Sequence, residues 1–221
     1  MIARLAPLLL LAPLAIGCGG SDGTGDPLAC DPDAPASRFI SCVLSFTPGP
    51  GAGHGQSTYP AIIEGPPVGE GTGKGSLDAL SLGRGGEIAF GFGGGSIVDG
   101  EGPDFVIFEN AFLVGGDPHS VFKELGEVSV SDDGVTWVTF PCQKDAYPFT
   151  GCAGWNPVLS NPANGLSPFE PEKAGGNPFD LADVGLSSAR FIKIRDISNY
   201  GSADTAGFDL DAAAVIHPAE P

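Results

Sequence analysis

From Arg38 onward no segment of this chain sustains the apolar period of a helix. The sequence is instead cut into short alternating runs by glycine and proline, 35 and 21 of them in 221 residues. Loops joining strands account for that composition, so the sequence predicts an all-β sandwich. The stretch GGEIAFGF (85–92) sets Ile88, Phe90 and Phe92 on one face and Glu87, Ala89 and Gly91 on the other. In EVSVSDDGVTWVTF (127–140), Val128 and Val130 turn inward, Asp132-Asp133-Gly134 signals a tight turn, and Trp137 reads as core or cross-strand packing. ARFIKIRD (189–196) buries Ile192 and Ile194 and exposes Lys193 and Arg195, and GFDLDAAAVI (207–216) supplies a final strand. Only SVFKEL (120–125) reads as a helical turn.

One run breaks the alternation. In DFVIFEN (104–110), Phe105 to Phe108 are apolar on both faces, which predicts a central strand covered by the other sheet on one side and by long loops on the other. Glu109 and Asn110 close that strand. A carboxylate there must be paired, hydrogen-bonded or metal-bound. A local turn-stabilising network is the favoured expectation and an ion site the second.

The N-terminus gives an address. Arg4 precedes an apolar stretch, Leu5 to Ile16, too short for a permanent membrane span, which reads as a secretory signal peptide. It ends Leu14-Ala15-Ile16-Gly17-Cys18, similar to the bacterial lipoprotein cleavage box, with Ala15 where Leu is usual. By that resemblance residues 1–17 are removed and Cys18 carries lipid; Gly19 in place of Asp points to the outer membrane. Residues 18–37, rich in Gly, Ser, Asp and Pro, read as a flexible tether, and 38–221 as one domain. With Cys18 lipidated, Cys30, Cys42, Cys142 and Cys152 remain. An exported chain permits two disulfides; proximity favours Cys30–Cys42 and Cys142–Cys152 among three possible pairings. A formal charge of −17 repels phosphate backbones and argues against nucleic acid as a partner.

Two resemblances follow from these stretches. Ser131 to Trp137, the later Ala189-Arg190-Phe191-Ile192-Lys193-Ile194 and the earlier SLGRGGEIAF (81–90) resemble, in order, motifs of the discoidin family, the C-type domains of coagulation factors and related carbohydrate-binding modules. Ser81 stands where that family has Asp. GPPVGEGTGKGSLDALSLGRGGEIAFGF, IVDGEGPDFVIFENAF, NPFDLADVGLSSARFIKI and GFDLDAAAVI are similar to a set of uncharacterised bacterial cell-surface proteins. Together they imply a galactose-binding-like jelly roll and no known activity. Discoidin-like domains often hold a structural calcium between an early loop and an acidic residue of the final strand, which implies Asp209 or Asp211 with Asp78. Asp209 and Asp211 alternate on a strand, roughly 6–7 Å apart at Cβ, and carbonyls of the Gly-rich loop would complete the six to eight oxygens calcium takes.

Catalytic signatures are missing. His54, His119 and His217 lie far apart in the sequence, and there is neither HExxH nor a G-x-S-x-G elbow. GTGKGS (71–76) is no phosphate loop: Val68 stands where the first Gly belongs, and Gly75 follows Lys74. Asp104 and Glu109 lie about 16 Å apart on an extended strand, too far for a glycosidase pair. DGEGPD (99–104) opens no EF-hand, because Asn110 occupies the twelfth position. PCQKDAYPFTGCAGWNP (141–157) gathers Tyr147, Phe149, Trp155 and Asn156 in or beside the Cys142–Cys152 loop, with Lys144 and Asp145 as further polar groups. The favoured expectation is that these aromatics roof the sheet; the second is that they offer flat faces to a sugar. The sequence thus predicts a non-catalytic, lipid-anchored surface module that binds glycan or a surface protein, with calcium as its cofactor. The alternatives are an envelope component without sugar binding and a hydrolase with an unrecognised site.

Overall fold

The glycine-punctuated runs do form strands. The structure is a computed structural model describing residues 30–198 and 205–220, so the signal peptide, Cys18 and most of the tether lie outside the described residues. In chain order the strands are β1 (Cys42–Thr47), β2 (Leu80–Ser81), β3 (Glu87–Gly91), β4 (Ile97–Val98) and β5 (Phe105–Phe108). Then come β6 (Phe112–Leu113), β7 (Val121–Phe122), β8 (Gly126–Ser131), β9 (Val138–Thr139) and β10 (Cys152–Ala153). The last are β11 (Asn177–Phe179), β12 (Ser188–Ala189), β13 (Phe191–Asp196), β14 (Asp209–Leu210) and β15 (Ala212–Val215).

Two antiparallel sheets make the sandwich. The larger runs β1-β3-β13-β8-β10, with β9 also on β8. The smaller runs β11-β5-β15. The alternating residues point as the sequence predicts: Ile88, Phe90, Val128, Val130, Ile192 and Ile194 are all fully buried and pack with Phe105 and Ile107 of β5. The other face of β5, Val106 and Phe108, joins a second apolar cluster with Val158, Ala174, Ala212 and Ala214. This strand is therefore buried on both sides, by the larger sheet and by the loops around 158–174.

Two expectations need correction. SVFKEL is not a helical turn: Val121–Phe122 pair with Phe112–Leu113 in an antiparallel hairpin, β6–β7. The one α-helical turn among the described residues is Pro171–Ala174, where Pro171 supplies the favourable first position. Residues 30–37 are also not free chain. The Gly94 N–H donates to the Ala34 carbonyl, the Ser37 N–H to that of Phe92, and a Cys30–Cys42 disulfide ties the segment to β1. The second disulfide is Cys142–Cys152, so both pairings are the sequence-local ones.

The two-sided burial of β5 sets a stability test. Replacing Ile107 by Ala should destabilise the protein by about 2–5 kcal/mol in urea unfolding. Replacing Val135, which is 81% exposed, by Ser should stay within roughly 0.5 kcal/mol. Equal effects would show that Ile107 is not core.

Candidate functional site

A strand buried on both faces carries its ends into the interior too. Asp104 precedes β5 and Glu109 follows it, and both are buried, at 0% and 1% exposure. The fold treats them differently. At Asp104, Oδ1 accepts from the Gly100 N–H and lies 2.8 Å from His217 Nδ1, while Oδ2 accepts from the Leu181 N–H. That carboxylate is satisfied. Asp99 and Asp180 lie close by, but Asp180 caps the turn at Ala182. This group is a structural knot that fastens 99–104 to the chain's final residues.

At Glu109, neither Oε1 nor Oε2 has a hydrogen-bond partner among the described residues, and Oδ1 of the neighbouring Asn110 is likewise buried and unpartnered. Glu109 faces Glu124 and Asp209, and one oxygen from each of the three lies within 4.8 Å of the others. Glu124 sits between β7 and β8 and accepts from the Gly207 N–H through Oε1. Asp209 opens β14; its Oδ1 accepts from the Ser81 hydroxyl and its Oδ2 from the Asn110 amide. Two glycines permit this closeness. Gly207 has φ 79°, and a Cβ there would lie 2.5 Å from the Gly83 carbonyl; one on Gly75 would lie 2.3 Å from that of Asn110.

Electrostatics decides what state the trio takes. Two unit charges 4.8 Å apart repel by about 3.5 kcal/mol at an effective dielectric of about 20. Three such pairs approach the roughly 5–15 kcal/mol that holds a whole domain together. Three bare carboxylates therefore cannot coexist here. Burial, then the charges of Asp209 and Glu124, push Glu109 well above the usual carboxylate range; the backbone N–H groups of Asn110 and Asp209 temper the rise without forming aligned bonds. Burial, and then Asp209, push Glu124 up to about 8. Burial pushes Asp209 up to about 6 against the opposing hydrogen bonds from Ser81 and Asn110.

This is not the acidic set that the sequence suggested. Asp78 is exposed. Asp211 is buried, and both its oxygens lie within hydrogen-bond reach of the Val68 N–H, on a different side of the strand break. The chain changes partners at residue 211: β14 pairs with β2 and β15 with β5, so Asp209 and Asp211 do not present one face. Of the three, only Asp209 joins the trio. Glu124 was hidden in the segment read as a helical turn. The favoured network forms at Asn110, whose amide donates to the Ser76 carbonyl and to Asp209 Oδ2, but does not reach the Glu109 carboxylate, although the run of apolar residues before it did signal its burial.

The aromatic residues behave differently again. Tyr147, Phe149 and Trp155 belong to neither apolar cluster, so they do not roof the sheet. They pack on one another, with ring centroids 5.9–6.4 Å apart, Tyr147 and Phe149 on the loop closed by Cys142–Cys152 and Trp155 just beyond it. Tyr147 is 54% exposed. Trp155 donates its indole N–H to the Cys152 carbonyl, and Asn156 donates its amide to that of Gly176. The hairpin β6–β7 reaches this array: His119 meets the Tyr147 ring and Lys123 lies over Phe149. Between them runs a groove of about 170 Å³, walled by Leu113, Pro118 and Val121 on the hairpin side and by Tyr147, Trp155 and Asn156 on the other. Lys123, Lys144 and Asp145 line a wider cleft nearby. Trp137 packs across strands under the Lys193 ammonium.

No protein-family model matches this chain, and no curated protein does. Among the described residues, no helix is long and apolar enough to cross a membrane.

The raised carboxylates set a pH dependence in the presence of chelator. A group whose pKa is higher in the folded than in the unfolded state stabilises fully below its unfolded value and loses that contribution as pH rises through the folded one. The urea midpoint should therefore fall between pH 5 and pH 9, through about 6 for Asp209 and about 8 for Glu124. Glu124→Gln should flatten the upper half of that fall. A midpoint rising steadily over this window would contradict the electrostatics above.

Proposed function

We propose that this protein is a non-catalytic surface module, anchored at the bacterial outer membrane through lipid on Cys18, that binds carbohydrate in the groove between Tyr147, Trp155 and the β6–β7 hairpin. The observation that carries this reading is an aromatic array held outside the core, on and beside a disulfide-closed loop, along a groove. A core-forming role would have put those rings between the sheets. Flat rings suit the apolar faces of sugars, and a loop closed by a disulfide reaches its ligand with little ordering left to do. Lys144 and Asp145 stand on the same loop as partners for hydroxyl groups. The resemblance to discoidin-like domains and to bacterial cell-surface proteins agrees with this reading, as does the lipoprotein-like box before Cys18.

The surroundings of the acidic groups and of two histidines support a non-catalytic role. The buried trio is enclosed, at 1–2% exposure for each residue, so it is closed to a polymeric substrate. His217 is committed to Asp104 and His54 lies against the Leu77 carbonyl.

A second reading, docking of a surface protein without sugar, draws on the size of the groove. About 170 Å³ is less than the roughly 300–1,000 Å³ of most small-molecule pockets, and it suits one inserted side chain.

A glycan array and affinity electrophoresis separate the two. Retention on at least one glycan, weakened roughly thirty-fold or more by Trp155→Ala or Tyr147→Ala, is the outcome expected of groove residues that act as binding hot spots. Tyr147 is exposed enough that its variant should melt like the parent. Retention on no glycan, with capture of an envelope protein that Tyr147→Ala abolishes, would favour the second reading. For the anchor, a labelled fatty acid should enter the intact protein and not a Cys18→Ser variant.

A further inference from the structure

We propose that Glu109, Glu124 and Asp209, with Oδ1 of Asn110, hold a divalent cation, calcium, that clasps the base of the β6–β7 hairpin. This is not the site implied by the discoidin resemblance, which would join Asp209 or Asp211 to Asp78. It stands at the far end of β5, and its two glutamates come from segments that bracket the hairpin.

The observation pointing to a ligand is the set of orphan acceptors. Glu109 is 1% exposed, and both its oxygens and the Oδ1 of Asn110 are buried with no partner among the described residues. A carboxylate and an amide oxygen accept only, so a further acceptor cannot satisfy them. A cation can. The set contrasts with Asp104 at the opposite end of the same strand, where N–H donors fill the need. It also contrasts with Asp196 nearby, whose carboxylate accepts from the Gly85, Phe208 and Ser198 N–H groups. Asp104 and Asp196 are held by aligned N–H donors, whereas no donor among the described residues makes an aligned bond to either Glu109 oxygen and its nearest side-chain neighbours are two further carboxylates.

Donor chemistry selects the ion. The three carboxylates and the amide supply hard oxygens, with no sulfur or imidazole among the proposed ligands, which disfavours zinc and copper. Magnesium keeps several of its waters, whereas calcium accepts a cage of protein oxygens. One divalent ion reduces the trio's formal charge from −3 to −1.

The consequence lies in the chain path. The backbone leaves β5 at Glu109, runs out through β6 and β7, and re-enters the large sheet after Glu124. The excursion is held within itself by a short ladder, Phe112 to Phe122 and Leu113 to Val121. An ion shared by Glu109 and Glu124 closes its base and pins it to Asp209 of β14. The same excursion forms one wall of the aromatic groove, so the ion sets that wall's position without touching a ligand.

The test compares the protein in chelator with the protein in calcium, magnesium or manganese. Isothermal titration should find one calcium per chain. At calcium a hundredfold above its Kd, the melting midpoint should rise by roughly 5–10 °C. Amide exchange of residues 110–123 should slow on calcium addition. Glu109→Gln is isosteric and removes the buried charge, so at pH 8 in chelator it should melt at or above the parent. It should also lose at least tenfold in calcium affinity and most of the thermal shift. A proton as the only occupant would leave the midpoint pH-dependent and indifferent to all three ions, and would overturn the proposal. So would a Glu109→Gln variant that keeps the parent's calcium response. Calcium binding without slower exchange in 110–123 would remove the clasp. None of these measurements involves sugar, so failure here and failure of glycan binding are separately visible.

Discussion

The structure depends on one strand being apolar on both faces. Phe105 to Phe108 cannot face water on either side, so β5 must run through the middle of the molecule with the large sheet against Phe105 and Ile107 and the loops around 158–174 against Val106 and Phe108. Everything attached to its ends is drawn inside. That is why two carboxylates, Asp104 and Glu109, lie where water does not reach. Burying a charge is expensive unless something nearby answers it. At Asp104 the answer is a turn N–H, a second N–H from 181 and the ring of His217. At Glu109 it is two further carboxylates, an arrangement that makes sense only with a proton or a cation among them.

The second region owes its character to the opposite circumstance. The loop from Cys142 to Cys152 lies outside both apolar clusters, and its rings find one another because they have no core to enter. They also find the β6–β7 hairpin, whose base is the acidic trio. A buried electrostatic problem and an exposed aromatic surface thus share one element. The hairpin itself is short and carries glycine at its tip, Gly115 and Gly116. Its geometry is therefore set by what holds its base and by what it leans on, more than by its own two-pair ladder.

Much of this was legible beforehand. Alternation in 85–92, 127–131 and 189–196 gave the strands and their inward residues, because side chains on a strand have a period of two whatever the partner. The unbroken run at 105–108 gave the central strand, and with it the burial of Glu109. The disulfides followed from proximity. Other features were beyond any local pattern. Six residues, 120–125, cannot distinguish one helical turn from a strand followed by a buried glutamate. Asp209 and Asp211 read as neighbours on one face, yet the chain changes ladder partners between them. Whether Tyr147, Phe149 and Trp155 would roof the core or stand outside it depended on how other residues filled that core.

The sequence by itself determined that the described domain is predominantly β, where its doubly buried strand lies, and that an acidic side chain is trapped at that strand's end. Those properties follow from local polarity and spacing, which a strand keeps wherever it is placed. Only the tertiary structure decided which carboxylates meet there and that the aromatic loop meets the hairpin. Those meetings join residues distant along the chain, from 109 to 209 and from 119 to 147, and they arise from the ladder order of strands that no nearest-neighbour pattern encodes.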